Sequence, residues 1–220
     1  KTDGVWLSQQ QITTSNLKSS LSGMLVPGGL KIVDMNRDGV LDNNDRTDLG
    51  NPYPDFNWGI TNNFKYKNID FSFLVQGVQG GKVINGDPNY NESRRTIKIY
   101  NQNRWVSAAN PGDGKTPFST NGYNWMLTDY VIENGSYFAL REVNLGYTLP
   151  TSSIKKLKIT SMRFYLSAQN LYFHTAKGYR SLNPEGRFSN GPYSSVLIDG
   201  YQRGAFPIPQ TITAGIDINF

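Results

Sequence analysis

The sequence predicts an all-β chain, and three observations carry that reading. Five segments alternate apolar and polar residues with a period of two. Their connections are short at one set of ends and long at the other. The composition, with 22 glycines, 13 tyrosines and 11 phenylalanines among 220 residues, favours strands and turns over helices. Together these predict about five antiparallel strands of a large transmembrane β-barrel with long extracellular loops.

The first 54 residues read as an extracellular loop holding one short helix, at about Ser8 to Leu21. The alternating piece Leu30-Lys31-Ile32-Val33 leads into Asp34-Met35-Asn36-Arg37-Asp38-Gly39-Val40-Leu41-Asp42-Asn43-Asn44-Asp45. Oxygen side chains occupy positions one, three, five, nine and twelve of this stretch, with glycine at six, which is the spacing of a calcium loop. Gly39 permits the bend, Val40 offers its carbonyl, and Leu41 turns into packing. The expected ligands of a structural calcium ion are therefore Asp34, Asn36, Asp38, Val40, Asp42 and Asp45. Position twelve is aspartate rather than glutamate and no amphipathic helix flanks the loop, so an EF-hand domain is excluded. The competing reading is a solvated, Asx-rich turn without metal.

Residues 55–220 read as barrel strands and their loops. Phe56, Trp58, Ile60 and Phe64 share one parity with Asn57, Gly59, Thr61 and Asn63 on the other, and a turn at about residues 66–68 leads to Ile69, Phe71, Phe73 and Val75. Gly77, Gly80 and Gly81 end this hairpin. Residues 79–135 are crowded with breakers. Alternation returns from Tyr137 to Leu149, is stopped by Pro150, and resumes with Met162, Phe164, Leu166 and Ala168. A third long loop covers about 171–206, and the last strand carries Ile208, Ile212, Ala214, Ile216, Ile218 and Phe220 on one face. Polar faces rich in Ser, Asn, Gln and Thr suit a watery lumen, and aromatics near strand ends, such as Trp58, Phe64, Tyr66 and Tyr147, suit interfacial girdles. Five strands cannot close. An open edge in lipid leaves backbone groups unpaired, so further strands are required.

Other classes are disfavoured. With no cysteine there is no disulfide framework or thiolate metal site. A net charge of +5, spread along the chain apart from Arg94-Arg95 and Lys155-Lys156, gives no nucleic-acid surface. No apolar run reaches the length of a transmembrane helix. The opening Lys1-Thr2-Asp3-Gly4 has no signal-peptide character and reads as a start in mid-protein. His174 is the single histidine, and Glu142, Glu185 and Asp199 show no spacing that pairs two carboxylates, so the chain is not read as an enzyme. Tyr90, Trp105, Tyr123, Trp125 and Tyr179 could stack on sugar rings, but packing of the loops is their expected role.

Several blocks, in one order, resemble the SusC/RagA-like TonB-dependent transporters of the Bacteroidota outer membrane, in their C-terminal part. They are Asp3-Gly4-Val5-Trp6, Pro27-Gly28, the acidic loop continuing into Asp45-Arg46-Thr47, Gly50-Asn51-Pro52, the run from Phe73 to Gly80, Asn103-Arg104-Trp105, Gly135-Ser136-Tyr137 with Leu140-Arg141, the run from Asn144 to Pro150, Ala168-Gln169-Asn170-Leu171, Asn183-Pro184-Glu185 and the terminal Phe220. Arg37 stands where the family usually has a hydrophobic residue. The resemblance implies that these are the last five strands of a 22-stranded barrel. It also implies an upstream plug and TonB contact, a SusD-like surface lipoprotein as partner, and glycans or peptides as substrates. The rival reading is a secreted, calcium-stabilised β-sandwich that binds carbohydrate, since alternation alone is common to both.

Overall fold

A computed structural model of the chain describes residues 1–20, 23–86, 103–118, 128–157, 159–186, 200–202 and 206–220. Tyr90, Arg94-Arg95, Tyr123, Trp125 and Asp199 lie outside the described residues. The chain divides into two compact units, one formed by 1–52, 82–133 and 186–205, the other by 53–81, 134–185 and 206–220. Parts of both later loops join the first unit.

The second unit is the predicted wall. Its strands are β5 (Pro54–Tyr66), β6 (Ile69–Gly80), β9 (Tyr137–Thr148), β10 (Ser161–Thr175) and β12 (Thr211–Asn219). They form one antiparallel sheet in chain order, β5-β6-β9-β10-β12. The β5–β6 turn is only Lys67-Asn68, with Lys67 at φ 52. Asn68 and Thr148 exchange two hydrogen bonds, 2.8 Å from the Thr148 N–H and 2.7 Å from the Asn68 side-chain amide. This brings that turn to the same end as the short β9–β10 connection. That connection holds a four-residue helix, α2 (Thr151–Ile154), and the last strand also finishes at this end, with Asn219 opposite Ser161. The long connections leave from the opposite end.

Register aligns the apolar parities into five rows. From the turn end they are Tyr66–Ile69–Tyr147–Phe164–Ile216, Phe64–Phe71–Leu145–Leu166–Ala214, Asn62–Phe73–Val143–Ala168–Ile212, Ile60–Val75–Leu140–Tyr172 and Trp58–Gly77–Phe138–His174. This face is bare: Phe64 is 55% and Ile216 56% exposed. A sandwich would bury such a face against a second sheet, so that alternative falls. Exposed aliphatic and aromatic rows instead match a surface that lipid covers.

Three strand limits differ from the sequence reading, and the first is β10, which runs to Thr175 where the third long loop was expected from about residue 171. β6 continues past Gly77 to Gly80, because the Trp58 ring lies over Gly77 in the space a Cβ would take; the glycine there accommodates a neighbour and does not break the strand. The last strand starts at Thr211 and not near Ile208, since Pro209 has no N–H to give the ladder.

The first unit is built from small pieces: β1 (Thr2–Val5) with β3 (Leu30–Ile32), β2 (Lys18–Ser19) with β4 (Val40–Leu41), and β7 (Lys82–Asn85) between β8 (Ile132–Asn134) and β11 (Tyr201–Gln202). Val5, Leu30 and Val131 form its core, with Ile32, Ile84, Trp105 and Tyr130 packed around them. Residues 79–135, read as breakers alone, therefore contribute strands. The helix α1 is shorter than expected, Gln9–Ser15. Ser8 caps it, and Asn16 at φ 54 ends it. Thr13 and Ser15 turn their hydroxyls back onto the carbonyls of Gln9 and Ile12, a competition that shortens helices. Among the described residues no helix is long and apolar enough to cross a membrane.

Candidate functional site: the polar face and the acidic loop

The polar parities of the five strands make the second face of the wall. Two features organise it. Near the turn end Arg163 donates to both oxygens of Asp70, at 3.0 and 2.6 Å, and reaches Asp217 at 3.4 Å. Gly146 and Gly215 leave room for this, because a Cβ on Gly146 would strike the Arg163–Asp70 pair and one on Gly215 would strike the Tyr165 ring. Glycine here serves close approach rather than turning.

Further along, the β9–β10 register slips between Gln169 and Tyr172, and the β6–β9 register between Leu74 and Val75. Arg141 sits at this double irregularity. Its guanidinium donates to Asn170 Oδ1 at 3.0 Å and pairs with Glu185, and it lies 4.9 Å over the Phe173 ring. Gln76, with its amide oxygen toward the guanidinium, accepts from Nε at 2.7 Å and Nη2 at 3.0 Å. The Tyr137 hydroxyl donates to Glu185 at 2.6 Å, and the Tyr137 ring stacks on Phe173. Asn183 shapes the approach: its Oδ1 accepts from the Glu185 N–H at 2.9 Å, and its amide donates to the Phe206 carbonyl. Bulges re-aim side chains in this way. Glu142 accepts from the Asn144 side-chain amide at 2.9 Å. His174 lies on the apolar parity, against the rings of Phe138 and Tyr172. The arrangement is a hydrogen-bonding wall.

The acidic loop wraps as its spacing predicts. Asp34 accepts from the N–H of Arg37 at 2.7 Å and of Gly39 at 2.8 Å; Asn36 Oδ1 accepts from Asp38, and Asp38 Oδ1 from Val40. Gly39 holds φ 82 at the sixth position, and Arg37 is at φ 62. Asp42 caps the 3-10 turn Asn43–Asp45, while Asp45 accepts from the N–H groups of Met35 and Asp42 at 2.7 and 2.9 Å. Leu41 is buried, as expected. The Gly39 and Leu41 carbonyls accept from Lys18 and Ser20, so the Val40 carbonyl between them faces the other edge.

Burial pushes the Asp45 carboxyl up, but the amides of Asp42, Met35 and Asn36, with the Asp34 side chain beside it, outweigh this and hold it below the usual carboxylate range. The loop thus brings its first and last ligand candidates together. It does not gather more: among the described residues no three acidic or histidine side chains form a group that could hold a metal ion. The backbone wraps as a cation loop would, and the Asp34 and Asp45 carboxylates accept from the loop's own amides.

No family model matches the chain. It is similar over 99% of its length, at 32% identity, to TonB-dependent receptor P26 of Formosa agariphila, of which it covers 22%. TonB-dependent receptor SusC of Bacteroides thetaiotaomicron is 23% identical over 86% of the chain. The chain spans about a fifth of the length of the curated relatives it matches. Among solved structures, the RagAB peptide importer in its 'open-open' state matches all of the chain at TM-score 0.65 and 18% identity, covering 22% of that structure's chain. The 'closed-closed' state matches at TM-score 0.61 and 22% identity.

Proposed function

The chain belongs to the SusC/RagA-like TonB-dependent receptors, outer-membrane proteins of Bacteroidota, and from that premise we propose that it forms the closing wall of a nutrient importer. In this reading β5 and β12 pair at their free edges with strands from the rest of the same barrel, whose plug carries the contact to TonB. The apolar rows meet lipid, and the Arg141 and Arg163 faces look into the lumen. A SusD-like lipoprotein covers the outer mouth, and glycans or peptides are the cargo. The observation that carries the proposal is the two-faced sheet, apolar and bare on one side and hydrogen-bonded on the other, with both edges open. A structural calcium ion is proposed to be held by Asp34, Asn36, Asp38, Val40, Asp42 and Asp45 as its ligands, a reading supported by the oxygen spacing and the wrap around Gly39.

The test uses the full-length protein in its own cell envelope. Uptake of labelled cargo should fall to background in cells lacking TonB and drop strongly in cells lacking the neighbouring lipoprotein. Uptake indifferent to TonB would refute the importer reading.

A further inference from the structure

The loop at residues 103–118 in the first unit is tied together more tightly than its composition predicts. Trp105 N–H donates to Thr116 at 2.9 Å, Asp113 N–H to Asn103 at 2.8 Å, and Val106 N–H to Asn110 at 3.0 Å. The Trp105 ring fills the space above Gly28, and its Nε1 donates to the Leu7 carbonyl at 3.1 Å. Gly112, at φ 65, lies against the backbone carbonyls of Asn103 and Arg104. This frame holds open a cleft of about 520 Å3 lined by Asn103, Arg104, Val106, Asn110, Gly112 and Asp113.

The charges in the cleft are unequally satisfied. Asp113 is taken up locally: Oδ1 accepts from the N–H groups of Lys115 and Thr116 at 2.8 and 2.7 Å, and Oδ2 from the Thr116 hydroxyl at 2.9 Å. Arg104 is half-buried and, among the described residues, makes no side-chain hydrogen bond or ion pair. An arginine lining a cleft, with its five side-chain donors unused, can meet a planar oxyanion bidentately. The ionised Asp113 nearby disfavours a dianion such as phosphate. Asn103 and Asn110, which also line the cleft, carry neutral amide donors and acceptors.

We infer that the cleft at Arg104 binds a solute bearing a single carboxylate, held by the guanidinium, with neighbouring hydroxyl or amide groups met by Asn103 and Asn110. Two cargo chemistries present that group, a uronic acid of a glycan and the C-terminus of a peptide. The inference takes its solutes from the importer reading but needs neither TonB nor transport.

Full-length receptor in detergent would be titrated, by calorimetry and saturation-transfer NMR, with two pairs of probes: a uronic-acid disaccharide and its methyl ester, and a tripeptide and its C-terminal amide. One acid should bind about tenfold or more tightly than its neutral partner. Arg104→Met should abolish the difference and Arg104→Lys should keep part of it. Because the Arg104 side chain makes no hydrogen bond or ion pair among the described residues, both variants should match the parent in thermal unfolding. The pair that responds identifies the cargo chemistry. Equal binding of acid and neutral forms in both pairs, or an Arg104→Met variant that still discriminates, overturns the inference. A failed importer reading would show separately, as TonB-independent uptake with Arg104 binding intact.

Discussion

An arginine moved along one face of β9 should report the depth of each apolar row. Val143 lies in the third of the five rows and Tyr147 in the first, at the turn end. Four residues span about 13 Å along a strand, or about 9 Å of depth at a tilt near 45°. The apolar band is about 25 Å tall, so this step runs from near its middle to its margin. Val143→Arg should then cost about 2–4 kcal/mol, Tyr147→Arg about 0–1, and Leu145→Arg a value between. A gap of about 2 kcal/mol is roughly thirtyfold in the folding equilibrium. Urea titration of the full-length receptor in lipid vesicles, scored by heat-modifiable mobility, reads it. Ser167→Arg controls for charge: Ser167 is in register with Asn144 on the polar face, so it should cost less than Val143→Arg. Equal costs along β9, or the largest cost at Tyr147, would refute the lipid-facing assignment.

Arg163→Met releases Asp70 and Asp217, but all three side chains are about a third or more exposed, so the loss should be about 1 kcal/mol or less, seen as a small shift in the urea midpoint. An Asp38→Ala, Asp42→Ala variant should be cut faster by protease between Pro27 and Pro52 and gain no protection from calcium at roughly 0.1–1 mM; a wild-type loop indifferent to calcium would leave the Asx-turn reading standing. Asp45 has a folded carboxyl held below its unfolded value. Its contribution is present above about pH 4 and is lost as pH falls through the folded value, so Asp45→Asn should flatten the acid limb of a thermal-stability profile. Cysteine at Ala109 should label with an impermeant maleimide on intact cells and cysteine at Ser153 should not; the reverse would invert the topology.

The wall was legible because a strand with one face in lipid must alternate, and register then follows from parity. Arg141 was not legible, since a bulge breaks the very parity that reveals a strand: Leu140 and Val143 share a face with two residues between them. The first unit escaped the periodicity argument for a different reason. It is held by bonds between distant segments, such as Val5 N–H to the Gly114 carbonyl at 3.0 Å and Thr2 to Asp129 at 2.8 Å, and such pairings leave no local period. Pro27-Gly28 and Asn103-Arg104-Trp105 stood out as blocks, yet only the fold explains them together, with the Trp105 ring filling the place of a Gly28 side chain. In the acidic loop the wrap was readable from Gly39 and the Asx spacing. The direction of each carboxylate, settled by competition among nearby amides, was not.

The ends of the β6–β9 connection meet: the Gly135 N–H donates to the Gly81 carbonyl at 3.0 Å. Closing a free loop of that length would cost about 3 kcal/mol more than closing a two-residue turn. Where the ends are already clasped, the wall experiences little more than another hairpin, whatever lies between Gly81 and Gly135. Such a junction behaves like a socket. The register of the wall is then insulated from the length of the segment it carries.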